Sequence, residues 1–210
     1  MGVQWLAMER LLRGVARFGP PIVWMGVIAV LSSSLLGADR TESYVYALLV
    51  RLLPWAGPDA LRGVHTVLRK MGHVVEYGIL AVLWLRALAP GRSPGAEAAW
   101  AVGLSALYAV VDEARQGLTP NRSPSAWDVG IDTAGAGLAV AWLQAPGRPA
   151  QTVVRLARCV TLLLTIGTLA SAAVDWSLGL PVWDLVPAAL GLVVAGWGLR
   201  SVERRWRRVP

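Results

Sequence analysis

The chain has 210 residues, 55% of them apolar and only 16% charged, with a mean hydropathy of +0.52. A soluble domain carries about 25% Asp, Glu, Lys and Arg, so this composition cannot clothe a water-facing globule and places the chain in a bilayer. The net charge of +7 does not imply nucleic acid, because the arginines stand at the ends of apolar runs rather than on a solvated basic face. The single cysteine, Cys159, excludes an intrachain disulfide or thiolate cluster, and no cofactor or bound metal is expected.

Residues 4–17 place Trp5, Met8, Leu12 and Val15 on one helical face, the pattern of a helix lying in the membrane interface. Residues 20–37 follow without a charge and are long enough to cross; their length exceeds the apolar core of a signal peptide, so they read as a retained anchor. Residues 43–53 are too short to cross and belong at the interface. Five further spans are predicted at 71–89, 96–115, 126–144, 153–174 and 181–199. The expected architecture is all-α: a polytopic transmembrane bundle of about six helices with short interfacial helices.

Six spans bring both termini to one side. Thirteen Lys and Arg then fall on the terminal side and seven on the other, which makes both ends cytoplasmic in a multi-pass protein of the cell membrane. Tryptophans mark the same boundaries: Trp84, Trp100, Trp142 and Trp197 at inner ends, Trp127, Trp176 and Trp183 at outer ends.

Ionisable residues inside a span cost about 2.5–3.5 kcal/mol each, so a group of them needs a common reason. In the second span Arg62, His65, Arg69, His73 and Glu76 are spaced by three and four, one stripe of a continuous helix, flanked by Lys70 and Tyr77. In the third, Tyr108, Asp112 and Gln116 step by four, beside Glu113 and Arg115; in the fourth, Asp128, Asp132, Gly135 and Ala139 share a face. The topology puts His73, Glu76, Asp112, Glu113, Gln116, Arg122 and Asp128 near the outer leaflet, with Ser32–Ser34 within reach. Ser125 and Asp128 have capping-box spacing at the start of the fourth span. Arg122 is a candidate counter-charge for Asp112, Glu113 or Asp128. Gly135, Ala136, Gly137 and Ala139 suit close helix packing.

Two blocks resemble the VanZ-like family of prokaryotic membrane proteins. The first runs Lys70, His73, Glu76, Tyr77; the second runs Asp112, Glu113, Gln116, Pro120, Asn121, Arg122, Ser125, Asp128, Asp132, Gly135. Asn121 stands where the family often has Gly, and Asp132 where it often has Asn. The resemblance covers roughly residues 22–144 and divides the chain into an interfacial segment (1–18), a VanZ-like four-helix membrane domain (19–145) and two added helices with a basic tail (146–210). The family is named for a protein associated with low-level resistance to the glycopeptide teicoplanin, which implies a role in the cell envelope.

The polar-site candidates are Lys70, His73, Glu76, Tyr77, Asp112, Glu113, Gln116, Arg122, Asp128 and Asp132. Arg69, Lys70, Arg122 and Ser125, with the amides opening the fourth span, are anion-binding candidates suited to phosphate oxygens. The partners expected are membrane lipids and an anionic, lipid-linked or phosphate-bearing envelope ligand. Two other readings stay open: a metal-dependent or acid/base enzyme on a lipid-linked phosphate, and a proton-coupled carrier using His73, Glu76 and Asp132.

Overall fold

The computed structural model describes residues 2–32, 38–89, 92–118, 124–145 and 186–206, with scattered positions between 158 and 183. The described residues form helices α1 (Gly2–Leu31), α2 (Ala38–Leu52), α3 (Pro58–Leu88), α4 (Pro94–Gln116), α5 (Ala126–Gln144) and α6 (Val186–Trp206), with no strand among them. Three of them, α1, α3 and α4, are long and apolar enough to cross a membrane. The α5 helix has 19 residues, about 28 Å, and two aspartates depress its hydropathy.

These six helices are not the six predicted spans. The short interfacial segment is one of them, as α2, whereas the predicted span 153–174 lies mostly outside the described residues. The second span also starts earlier than its hydropathy suggests. Gly57 in an extended conformation and Pro58 at the first helical position open α3 thirteen residues before position 71. At 31 residues α3 is about 46 Å long, against a hydrocarbon core of about 30 Å. Its first turns therefore project beyond the apolar layer, where Asp59 and Arg62 pair at 2.7 Å in the open. The amphipathic stretch 4–17 is likewise continuous with the first span in α1, which carries Pro20 and Pro21 inside it.

Helix α3 is the axis of the bundle. Its C-terminal half, Tyr77 to Leu88, is buried at nearly every position, as befits a helix that is apolar all round. One cluster joins Trp24, Val27 and Ile28 of α1 to Tyr77, Leu80 and Leu83 of α3 and Leu192 of α6. A second joins Ala81, Leu85 and Leu88 of α3 to Ala101 of α4 and to Ala136 and Val140 of α5.

The predicted small-residue surface brings two helix backbones together at Gly135. A Cβ on Gly135 of α5 would stand 2.6 Å from the Val74 carbonyl oxygen and 2.8 Å from its Cα, so only glycine lets the α3 and α5 backbones meet there. At the other flank Gly191 faces Val27 and Gly198 faces Pro20, so α6 runs antiparallel to α1. Trp100, Trp127, Trp142, Trp176, Trp183 and Trp197 are exposed, in keeping with aromatic belts. Trp84 departs from that pattern: it packs against both clusters rather than standing at a headgroup level.

Candidate functional site

The polar residues gather where α1 and α4 finish, α5 begins and the middle of α3 passes. Local rules explain each position. The three- and four-residue steps of α4 put Asp112, Arg115 and Gln116 on one face, and those of α5 put Asp128 and Asp132 on one face, toward α3.

Asp112 is the best-satisfied group. It is 1% exposed, and its Oδ1 accepts from Arg115 Nη2 at 2.8 Å and Nε at 3.2 Å. Its Oδ2 accepts from Gln116 Nε2 at 2.8 Å. Ser32 Oγ at the end of α1 lies 2.9 Å from Asp112 Oδ1 and accepts from Arg115 Nη2 at 2.6 Å. A charge placed in an apolar bundle is here matched by a guanidinium and by hydrogen bonds to both oxygens, the condition for burying it.

Two further bonds hold α1 at this level. Trp24 Nε1 donates to the Glu76 carbonyl at 2.9 Å, and the Tyr108 hydroxyl donates to the Met25 carbonyl.

The start of α5 is tied to both neighbours. Ser125 Oγ accepts from the Asp128 amide at 3.3 Å, half of the predicted capping box. The other half comes from elsewhere: the Ser125 amide donates to Glu113 Oε1 of α4 at 2.6 Å, which frees the Asp128 carboxylate to take Lys70 Nζ at 2.6 Å. The Ser125 amide is therefore held by Glu113 and its hydroxyl oxygen accepts at the cap, so the N-terminal end of α5 is faced by a carboxylate of the chain itself. Ser125→Ala should cost about 1 kcal/mol, read as a lowered unfolding midpoint in detergent titration.

One turn further along α5, Asp132 Oδ1 stands 3.4 Å from His73 Nδ1. The two atoms are buried, and their geometry falls short of a hydrogen bond; neither has another partner among the described residues. The Tyr77 hydroxyl is also buried without a partner among the described residues, its ring 6.3 Å from that of Tyr108. Arg69, Lys70, His73, Asp128, Ile131 and Asp132 line a cleft of about 20 Å³, room for one water. At its mouth Arg69 is exposed. Glu76 is half-buried, with no hydrogen bond to its carboxylate among the described residues. No three His, Cys, Asp or Glu side chains among the described residues converge as a metal site would require.

The structure thus brings Lys70, His73, Asp128 and Asp132 into one group, and Asp112, Gln116 and Ser32 into an adjacent one, with Glu113 bridging α4 to α5. Arg62 is not among them, since it pairs with Asp59 at the projecting end of α3. Arg122, together with Pro120 and Asn121, lies outside the described residues. The counter-charges expected from Arg122 are supplied to Asp112 by Arg115 and to Asp128 by Lys70. The spacing of Asp112 and Arg115 signals the first pair; nothing in the sequence signals the bond from Trp24.

A family model, VanZ/LLP1, matches residues 20–145, more than half of the chain. The chain belongs to the VanZ/LLP1 family. The matched stretch runs from the proline pair of α1 through the end of α5, so every described residue of the polar group is inside it. Arg158, Arg200 and the rest of α6 fall outside the VanZ/LLP1 match. No curated protein and no solved structure matches the chain.

Proposed function

We propose that this VanZ-like membrane protein acts at the cell envelope, in glycopeptide tolerance of the teicoplanin type, by engaging the phosphate-bearing headgroup of a lipid or lipid-linked cell-wall precursor on the face of the bilayer turned away from the cytosol. The observation that carries this reading is the cationic mouth of the α3–α5 cleft. Arg69 is exposed and makes no hydrogen bond or ion pair among the described residues, and Lys70 beside it is 40% exposed on its side chain. A planar guanidinium next to an ammonium suits phosphate oxygens.

The cleft is too small to swallow a headgroup, so binding occurs at the mouth, with Lys70 exchanging Asp128 for phosphate. The carboxylates beneath, Asp128 and Asp132, then face the hydroxyl or ammonium donors of the same headgroup. Family membership supports the link to glycopeptide resistance, and the apolar helices support the membrane setting.

The test is tolerance conferred on a susceptible host. Arg69→Ala with Lys70→Ala should abolish it with inserted, folded protein still present, because Arg69 holds no part of the bundle together and Lys70 gives up one partly exposed pair with Asp128, worth about 0–1 kcal/mol. Full tolerance in the double variant overturns the reading.

A second reading, acid/base catalysis on the bound headgroup, is favoured by the unsatisfied His73 Nδ1 and Asp132 Oδ1 at the floor of the cleft. It requires a chemically altered lipid after incubation with the purified protein, which binding alone does not.

A further inference from the structure

A second cavity lies at the opposite end of the bundle. It is a groove of about 630 Å³ between α6 and the described residues around Arg158 and Thr165. Arg158, Thr161, Leu192, Gly196, Trp197 and Arg200 form most of its wall. Thr161 lies against Gly196, and Arg158 and Arg200, three residues before the one and four after the other, line the same groove. Pro20 of α1 faces Gly198, and Ser32, in the polar group, is twelve residues further along α1. The groove mouth is therefore about 18 Å or more from the site discussed above, and independent of it.

Three properties identify the occupant. The walls are mostly apolar and lie within the bundle's span, where an irregular peptide would leave its backbone unsatisfied. The volume is that of a small-molecule site, about 300–1,000 Å³, and is less than a three-turn helix about 10 Å across would fill. The rim carries two guanidiniums and an indole, the combination that binds a phosphate at the headgroup level of a bilayer. Gly196 keeps the floor open: a Cβ there would have Thr161 Cγ2 as its nearest neighbour, at 3.8 Å.

We infer that this groove is a binding site for one anionic glycerophospholipid of the surrounding membrane, its phosphate held by Arg158 and Arg200 and one acyl chain laid along Leu192 and Trp197. The site lies outside the segment that matches the family, in the part of the chain beyond residue 145.

The test uses the full chain in detergent, followed by native mass spectrometry during titration with phosphatidylglycerol and, separately, with phosphatidylcholine of the same acyl chains. The wild type should retain one phosphatidylglycerol about ten-fold better than phosphatidylcholine. Arg158→Ala with Arg200→Ala should remove that preference, and Arg51→Ala, on exposed α2, should keep it. Gly196→Leu fills the floor with both arginines intact and should also lose the lipid, which decides the matter if the arginine variant fails to fold. In the wild type, a phosphatidylglycerol carrying an acyl diazirine should crosslink to peptides containing residues 158–166 and 189–200. Equal retention of the two lipids by the wild type, retention surviving in Gly196→Leu, or crosslinks confined to other helices overturns the proposal.

Discussion

Replacing Gly135 with leucine should abolish the folded protein, and even Gly135→Ala should lower stability by about 1–3 kcal/mol, the cost of overpacking a filled interior. The new Cβ would stand 2.6 Å from the Val74 carbonyl oxygen and 2.8 Å from its Cα. Both are backbone atoms of the central helix, so no rotamer change relieves the clash and α3 itself must retreat. Retreat would part His73 from Asp132 and Lys70 from Asp128, because these contacts cross the same α3–α5 seam. Gly137 on the same helix has nothing within 4 Å of its position, so Gly137→Ala should stay within about 0.5 kcal/mol of the wild type. The measurement is the unfolding midpoint in mixed micelles for the three variants side by side. A Gly135→Ala protein as stable as Gly137→Ala would show that the seam is not a close contact.

The Gly135 contact was legible in advance because it is periodic: Asp128, Asp132, Gly135 and Ala139 recur at helical spacing, and one face must be buried if one residue of it is. The same holds for the stripe from Arg62 to Glu76, which α3 realises as a single helix. Helix length was not legible there. Hydropathy ends where charge begins, at Lys70, whereas the backbone stays helical to Pro58 because ammonium and guanidinium groups beyond the apolar layer cost nothing to solvate.

Partner assignment was the hardest part to read. Sequence order suggests Arg122, which lies outside the described residues, as the counter-charge for its neighbours, whereas the partner the structure gives Asp128 is Lys70, 58 positions away in the chain. The capping box is realised by half: Ser125 caps α5 as its spacing predicts, but the return bond from Asp128 to the Ser125 amide is replaced by a carboxylate on α4. The bonds from Trp24 and Tyr108 to backbone carbonyls lie wholly in the packing of α1 and carry no sequence pattern.

Asp112→Ala should be the most damaging of the carboxylate substitutions, at about 2–4 kcal/mol, since it strips Arg115, Gln116 and Ser32 of their common acceptor. The lower end of that range is the better guide, because the Arg115 side chain is 38% exposed and can turn toward water or headgroups. Arg115→Ala should cost at least as much, for the opposite reason: Asp112 is 1% exposed and would be left with only neutral donors around it. Removing both together should cost less than the sum of the two, and that difference separates a paired charge from two unrelated contacts. A double-mutant cycle on unfolding midpoints measures it, with a coupling of about 2 kcal/mol expected. Strict additivity would mean that the ion pair contributes nothing to holding the end of α4 against α1. Asp112 would then have to be explained by what it binds rather than by what it holds.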